Sequence, residues 1–164
     1  MSGVILPVVY DCNILFQALI TNRGPSYRCM ELAEDGDVQL CISHYLFEEI
    51  RDLSVRPILR DKFQLETSRV EAFLDDVESY STLINEIPDQ YQHPIDPKDS
   101  HYVNLALAAE ARLIVSRDNH LLNLMDASRP ESLEFQQRFP RLSIMVPPAF
   151  LVEVERLARS EQST

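Results

Sequence analysis

The stretch VVYDCNILF, residues 8–16, decides how the rest of the chain is read. An apolar run from Val4 to Tyr10 leads straight into Asp11; Cys12 and Asn13 follow, and apolar residues resume at Ile14. A short continuous apolar run fits a strand covered on both faces. A carboxylate and an amide therefore stand where a buried strand ends. Ile14 to Ile20 continues at helical spacing, and Gly24-Pro25 marks a turn.

Working outward, a second helix is expected over Ser26 to Glu34, ended by Asp35-Gly36, then a strand over Val38 to Ile42. Ser43 is a good N-cap for a helix running through Glu49 to Leu53. Phe63 to Tyr80 reads as one longer helix, with Val70, Phe73, Leu74 and Val77 on its apolar face. Ser81 to Asn85 is a candidate third strand, followed by a loop with Pro88, Pro94 and Pro97. A helix over Asp99 to Ala111, a strand over Leu113 to Ser116 and a short helix over Asn119 to Leu124 come next. Arg129 to Pro140 reads as irregular or briefly helical, Leu142 to Val146 as a last strand, and the tail from Ala149 as a final helix. Strands alternating with helices predict an α/β fold with a parallel sheet.

The 164 residues favour one domain, 1–164, with a core over 4–151 and a C-terminal helix over 149–164. There is no internal repeat or low-complexity tract. The N-terminal apolar stretch is broken by Asp11 and Asn13 and lacks a basic leader, which argues against a signal peptide. It is too short for a membrane span, and no other segment is apolar enough. Cys12, Cys29 and Cys41 form no CxxC pair and read as reduced thiols in a cytoplasmic protein, not as zinc ligands. The net charge is −11 and the only lysines are Lys62 and Lys98, so a large basic nucleic-acid footprint is absent. Such a charge is compatible with an acidic metal site or with a basic protein partner.

In a parallel α/β sheet, ligand sites form along the edge where strands end and helices begin. Asp11 follows the first strand, Asp118 follows LIVS, and Asp99 opens the helix that crosses over to LIVS. Glu49 shares the apolar stripe of Leu46, Ile50 and Leu53, whereas Glu48 lies off it. A carboxylate on an apolar stripe is costly unless it is paired or holds a cation. Asp11, Glu49, Asp99 and Asp118 thus converge as four acids. Unpaired, they repel one another, and a divalent cation relieves that repulsion. Mg2+ and Mn2+ prefer carboxylate and water oxygens. Asn13, being neutral, could orient a carboxylate, a water or a phosphate.

Each residue also has a purely structural reading. Asp11 and Asp118 could cap the helices that follow them. In DPKD, residues 96–99, Asp96 reads as a cap, Pro97 as the first turn and Asp99 as an acid favoured by the helix dipole. Glu49 could pair with Arg51, Arg56 or an arginine across an interface, and Ser116 could be a strand-end hydroxyl or a phosphate ligand. Four acids on one edge are harder to explain by chance than any one alone.

With these residues in view, the sequence resembles the PIN domain family. The resemblance rests on VVYDCNIL, ISHYLFEEIRDL, DPKDSHYVNLALAAEARLIVSRDNHLL and SIMVPPAFL, which together run from residue 8 to 151. Its nearest subgroup is the PIN proteins grouped as toxin components of bacterial toxin–antitoxin pairs, with VapC-like ribonucleases among their relatives. The resemblance implies a three-layer α/β/α fold with a central, mostly parallel sheet. It also implies Mg2+- or Mn2+-dependent RNA cleavage, an antitoxin partner and self-association as a homodimer. By motif, Asp11, Glu49, Asp99 and Asp118 match the family's acids. Asn13 matches a polar position after the first acid, and Ser116 matches a position usually held by Thr or Ser. Two positions depart from the pattern. Cys12 stands where Thr is common, and His120 stands where relatives often carry another acid. That His could bind a metal, contact a phosphate, or pack or face solvent, the last being the default.

The leading reading is therefore a metal-dependent endoribonuclease acting on single-stranded or structured RNA. A catalytically silent binding module is the alternative, favoured by the charge of −11 and by His120. Other phosphoryl enzymes on similar sheets rank lower. Haloacid-dehalogenase phosphatases need an aspartate at the position of Asn13, and receiver domains need an acid pair and a later Lys that are not evident. The helix with Phe150, Leu151, Val154 and Leu157 could pack internally or at a dimer interface.

Overall fold

The computed structural model describes residues 5–162. Five strands form one sheet in the order β3-β2-β1-β4-β5: β1 (Leu6–Tyr10), β2 (Val38–Ile42), β3 (Thr82–Leu83), β4 (Leu113–Val115) and β5 (Ser143–Met145). Every pairing is parallel, including Val8 with Leu40 and Val9 with Ile114. The expected start of β1 at Val4 lies outside the described residues.

Val8, Val9 and Tyr10 are all fully buried, and so are Ile114 and Val115. Successive strand residues point to opposite faces. Both faces of the central strands are therefore covered, which is why these strands read as unbroken apolar runs. The helices that cover them include α1 (Cys12–Ile20), α2 (Pro25–Glu34), α3 (His44–Ser54), α5 (Thr67–Tyr80), α6 (Pro97–Ala108) and α9 (Pro147–Gln162). This is the α/β PIN-like layering expected, with an all-parallel sheet. No helix among the described residues is long and apolar enough to cross a membrane.

Chain reversal sits between β1 and β4. From β1 the chain moves to β2 and then β3, and α6 carries it back to β4 on the other side of β1. The C-terminal ends of β1 and β4 thus flank a topological switch point, where crevices open in such sheets.

Several boundaries differ from the sequence reading. The helix expected over Phe63–Tyr80 begins at Thr67; Phe63 instead closes a separate helix, α4 (Pro57–Phe63), which Gln64 ends in a left-handed conformation (φ 52°). Helix α6 begins at Pro97 with Asp96 as its cap, which moves Asp99 into the first turn. Residues read as irregular form a regular helix, α8 (Pro130–Arg138), with Pro130 in its first turn. The segment after β4 is a four-residue helix, α7 (Asn119–Leu122), followed by a 3-10 turn at Asn123–Met125. At the end of α2, Gly36 (φ 83°) allows Asp37 N–H to reach Leu32 O at 2.9 Å and Gly36 N–H to reach Ala33 O at 3.2 Å. That pair of bonds is a Schellman stop. Phe150 of α9 is fully buried edge-on against Tyr10, and Leu151 and Val154 pack partly against the same core. Those three face the interior of this chain.

Candidate active site

The site grows from the ends of β1 and β4. Asp11 N–H continues the ladder to Val115 O at 3.1 Å. The Asp11 carboxylate then caps α1, its Oδ1 accepting from Asn13 N at 3.0 Å and Ile14 N at 3.3 Å. Its Oδ2 accepts the hydroxyl of Ser116. Ser116 Oγ accepts in turn from Asp118 N–H at 2.9 Å, and Asp118 Oδ1 accepts from His120 N–H at 2.8 Å, capping α7. Capping is thus real at Asp11, Asp96 and Asp118, and it places three aspartates where three helices start.

Asp11 is 2% exposed. Burial raises its carboxyl pKa to about 6; the Ser116 and Ile14 hydrogen bonds oppose the shift and the nearby Asp118 charge adds to it. Asp99 is buried too, and its Oδ2 has no hydrogen-bond partner among the described residues. Burial, then the charges of Asp118 and Asp96, hold its pKa far above the usual carboxylate range.

Glu49 faces inward from α3 while Glu48 is exposed, as the stripe Leu46, Ile50, Leu53 requires. The contacts of Glu49 are not the arginine pair of the purely structural reading. Its Oε1 accepts from Tyr102 OH at 2.9 Å and its Oε2 from Cys12 Sγ at 3.4 Å. Arg51 instead bonds Glu71 at 2.7 Å. Burial and the Glu49 carboxylate push the Cys12 thiol well above its ordinary range, so it stays protonated and able to donate.

Asp11, Glu49, Asp99 and Asp118 line one cavity of about 130 Å³, with Asn13 at its exposed rim and Asp96, Lys98, Cys12 and Tyr102 beside them. Ser116 does not line it. Ser116 is 0% exposed, and its hydroxyl is shared between Asp11 Oδ2 and the Asp118 N–H. A second cavity of about 200 Å³ adjoins the first, and Tyr45, Arg56 and Lys98 are among its lining residues. Arg56 lines this cavity, whereas Arg117 Nε points to Ser26 Oγ at 3.5 Å and Arg60 Nε to Asp61 at 3.3 Å.

The residues fit a divalent cation. The donors are hard oxygens, burial and neighbouring carboxylates raise the pKa of Asp11 and Asp99, and one buried carboxylate oxygen has no partner among the described residues. The compact donor group among the described residues is not, however, the four expected acids. It joins Asp96, Asp99 and His120, whose ligand atoms lie within 4.8 Å of one another. Sequence reasoning treated Asp96 as a cap and kept metal binding by His120 as an alternative to its default, packing or solvent exposure. The signal was present in DPKD, since residues three apart share one helix face.

Residues 7–120 match the PIN domain family. The chain belongs to the PIN domain family. The matched span contains every residue of the acid cluster, from Asp11 to His120. Members of the PIN family are generally nucleases. Among solved structures, the PIN domain described here is similar to a chain in the crystal structure of VapBC2 from Rickettsia felis bound to a DNA fragment from their promoter. The TM-score is 0.54 at 15% identity, over 86% of this chain and 98% of that one, a likeness of fold. No curated protein matches the sequence.

Proposed function

We propose that this PIN domain is a divalent-cation-dependent endoribonuclease that hydrolyses RNA phosphodiester bonds, acting as the toxin component of a toxin–antitoxin pair. The observation that carries the reading is Asp99 Oδ2: a buried carboxylate oxygen without a partner, in a cavity also lined by Asp11, Glu49 and Asp118. Asp11, Glu49, Asp99 and Asp118 hold Mg2+ or Mn2+ there. When bound, the cation neutralises the carboxylates, polarises phosphoryl oxygens and makes a coordinated water more acidic.

The chain's own residues do the rest. Ser116 fixes Asp11 and Asp118 relative to each other. Tyr102 and Cys12 hold the two oxygens of Glu49. Asn13, exposed at the rim, offers a neutral amide to orient the phosphate. Lys98 and Arg56 in the adjoining cavity supply backbone phosphate contacts, and Tyr45 there supplies a ring face for a base.

A small basic antitoxin suits the acid-rich groove, and the VapBC2 fold neighbour supports that partner class. Cytoplasmic residence and a homodimer belong to the same reading. The test is RNA cleavage with Mg2+ or Mn2+ against a chelator control, in wild type and an Asp11→Asn/Asp118→Asn double variant. Cleavage by wild type alone is expected. Equal cutting by both proteins would overturn the assignment, and partner binding with neither cleavage nor stabilisation by Mn2+ would favour a silent binding module.

A further inference from the structure

His120 is the residue that the four acids leave over. Its Nδ1 lies 3.2 Å from Asp96 Oδ2, 3.8 Å from Asp99 Oδ2 and 4.0 Å from Asp118 Oδ1. Asp118 Oδ1 already accepts the His120 backbone N–H, and Asp96 Oδ1 accepts that of Lys98. Asp96 Oδ2 and the unpartnered Asp99 Oδ2 are the oxygens turned toward the ring. Adjacent ligands of an octahedral ion with bonds of about 2.1 Å stand about 3 Å apart, near the 3.2 and 3.8 Å that separate His120 Nδ1 from the Asp96 and Asp99 oxygens.

A buried strut holds the arrangement. His93, 4% exposed, accepts the backbone N–H groups of Ile95 and Asp96 on its Nδ1, at 3.1 and 3.0 Å. Its proton must then sit on Nε2, which donates to the His120 carbonyl oxygen at 2.9 Å. One side chain thus ties the loop that delivers Asp96 to the turn that delivers His120.

We propose that Asp96, Asp99 and His120 form a nitrogen-containing cation subsite at the edge of the carboxylate cavity, sharing Asp96 and Asp99 with its lining, and that this subsite selects a first-row transition cation such as Mn2+ over Mg2+. An imidazole nitrogen is a poor ligand for Mg2+ and a good one for softer divalent ions. The inference rests on the metal-dependent reading of the site. The competing arrangement is a protonated His120 that forms ion pairs with the acids and binds no metal.

Pulsed electron paramagnetic resonance on the full chain loaded with Mn2+ separates these cases. Wild type should show modulation from a directly bound 14N nucleus, and His120→Ala should lose it. Calorimetric titration should show Mn2+ affinity falling about tenfold or more in His120→Ala, with a smaller loss for Mg2+. His120→Gln, which keeps the side-chain bulk, should match His120→Ala, and unchanged circular dichroism certifies the fold. Tight Mn2+ binding without nitrogen coupling in wild type would overturn this subsite and leave the carboxylate site standing. Absence of Mn2+ binding to wild type would remove both.

Discussion

Ser116 and Asp11, 105 residues apart in sequence, are hydrogen-bonded at the ends of adjacent parallel strands. The bond does for the site what a loop could not. It locks the acid after β1 to the strand that delivers the acid after β4. Ser116→Ala removes the donor to Asp11 and leaves the Asp118 N–H without its acceptor. We expect a stability loss of about 1–3 kcal/mol and weaker cleavage, read by urea denaturation and by RNA turnover with Mn2+. Unchanged values of both would show that the bond positions nothing.

Tyr102→Phe deletes the hydroxyl that holds Glu49 Oε1. The ring still fills its buried place, so stability should fall by only about 1 kcal/mol. Mn2+ affinity should fall about tenfold, because an outer hydrogen bond orients a ligating carboxylate. Calorimetry of the two proteins decides it; equal affinities would remove Tyr102 from the site's support.

The metal-free protein should carry a characteristic pH signature. The folded-state pKa of Asp11 is raised from 3.8 to about 6, and that of Asp99 is raised in the same direction. Raised carboxyl values mean that the neutral forms favour folding. Their contribution is complete below the unfolded pKa and is lost as pH rises through the folded value. For Asp11 the loss is about 3 kcal/mol. With a chelator present, the wild-type stability difference from Asp11→Asn should therefore change between about pH 4 and pH 7. Mn2+ should stabilise wild type more at the higher pH. A difference that stays flat with pH would show that Asp11 titrates normally.

Phe150→Ala tests how α9 is anchored. The ring is fully buried and meets Tyr10 edge-on at 5.7 Å between centroids. Removing it should cost about 3–5 kcal/mol by leaving a cavity beside β1. A urea midpoint within error of wild type would mean that α9 is not held by this contact.

The sheet was legible because strands buried on both faces leave unbroken apolar runs, as at Val8 to Tyr10 and Leu113 to Val115. The four acids were legible because Asp11 and Asp118 follow strands, Asp99 opens the crossover helix and Glu49 sits on an apolar helix stripe. The break at Gln64 was not, since a left-handed residue that is neither Gly nor Asn gives no signal in the chain. The burial of Ser116 and the approach of Asp96 to His120 were not legible either. The first depends on the β1–β4 register, and the second on a buried His93 that sequence spacing does not connect to either residue.

Asp11, Asp96 and Asp118 each begin a helix and each contribute a carboxylate to the same cluster, so the instructions for winding the chain and those for gathering charge are written in the same letters. Asparagine caps a helix about as well as aspartate. An exchange to asparagine therefore erases charge and spares the helix start, whereas an exchange to alanine erases both. Compared at one position, the two variants would weigh what that residue gives to architecture against what it gives to chemistry.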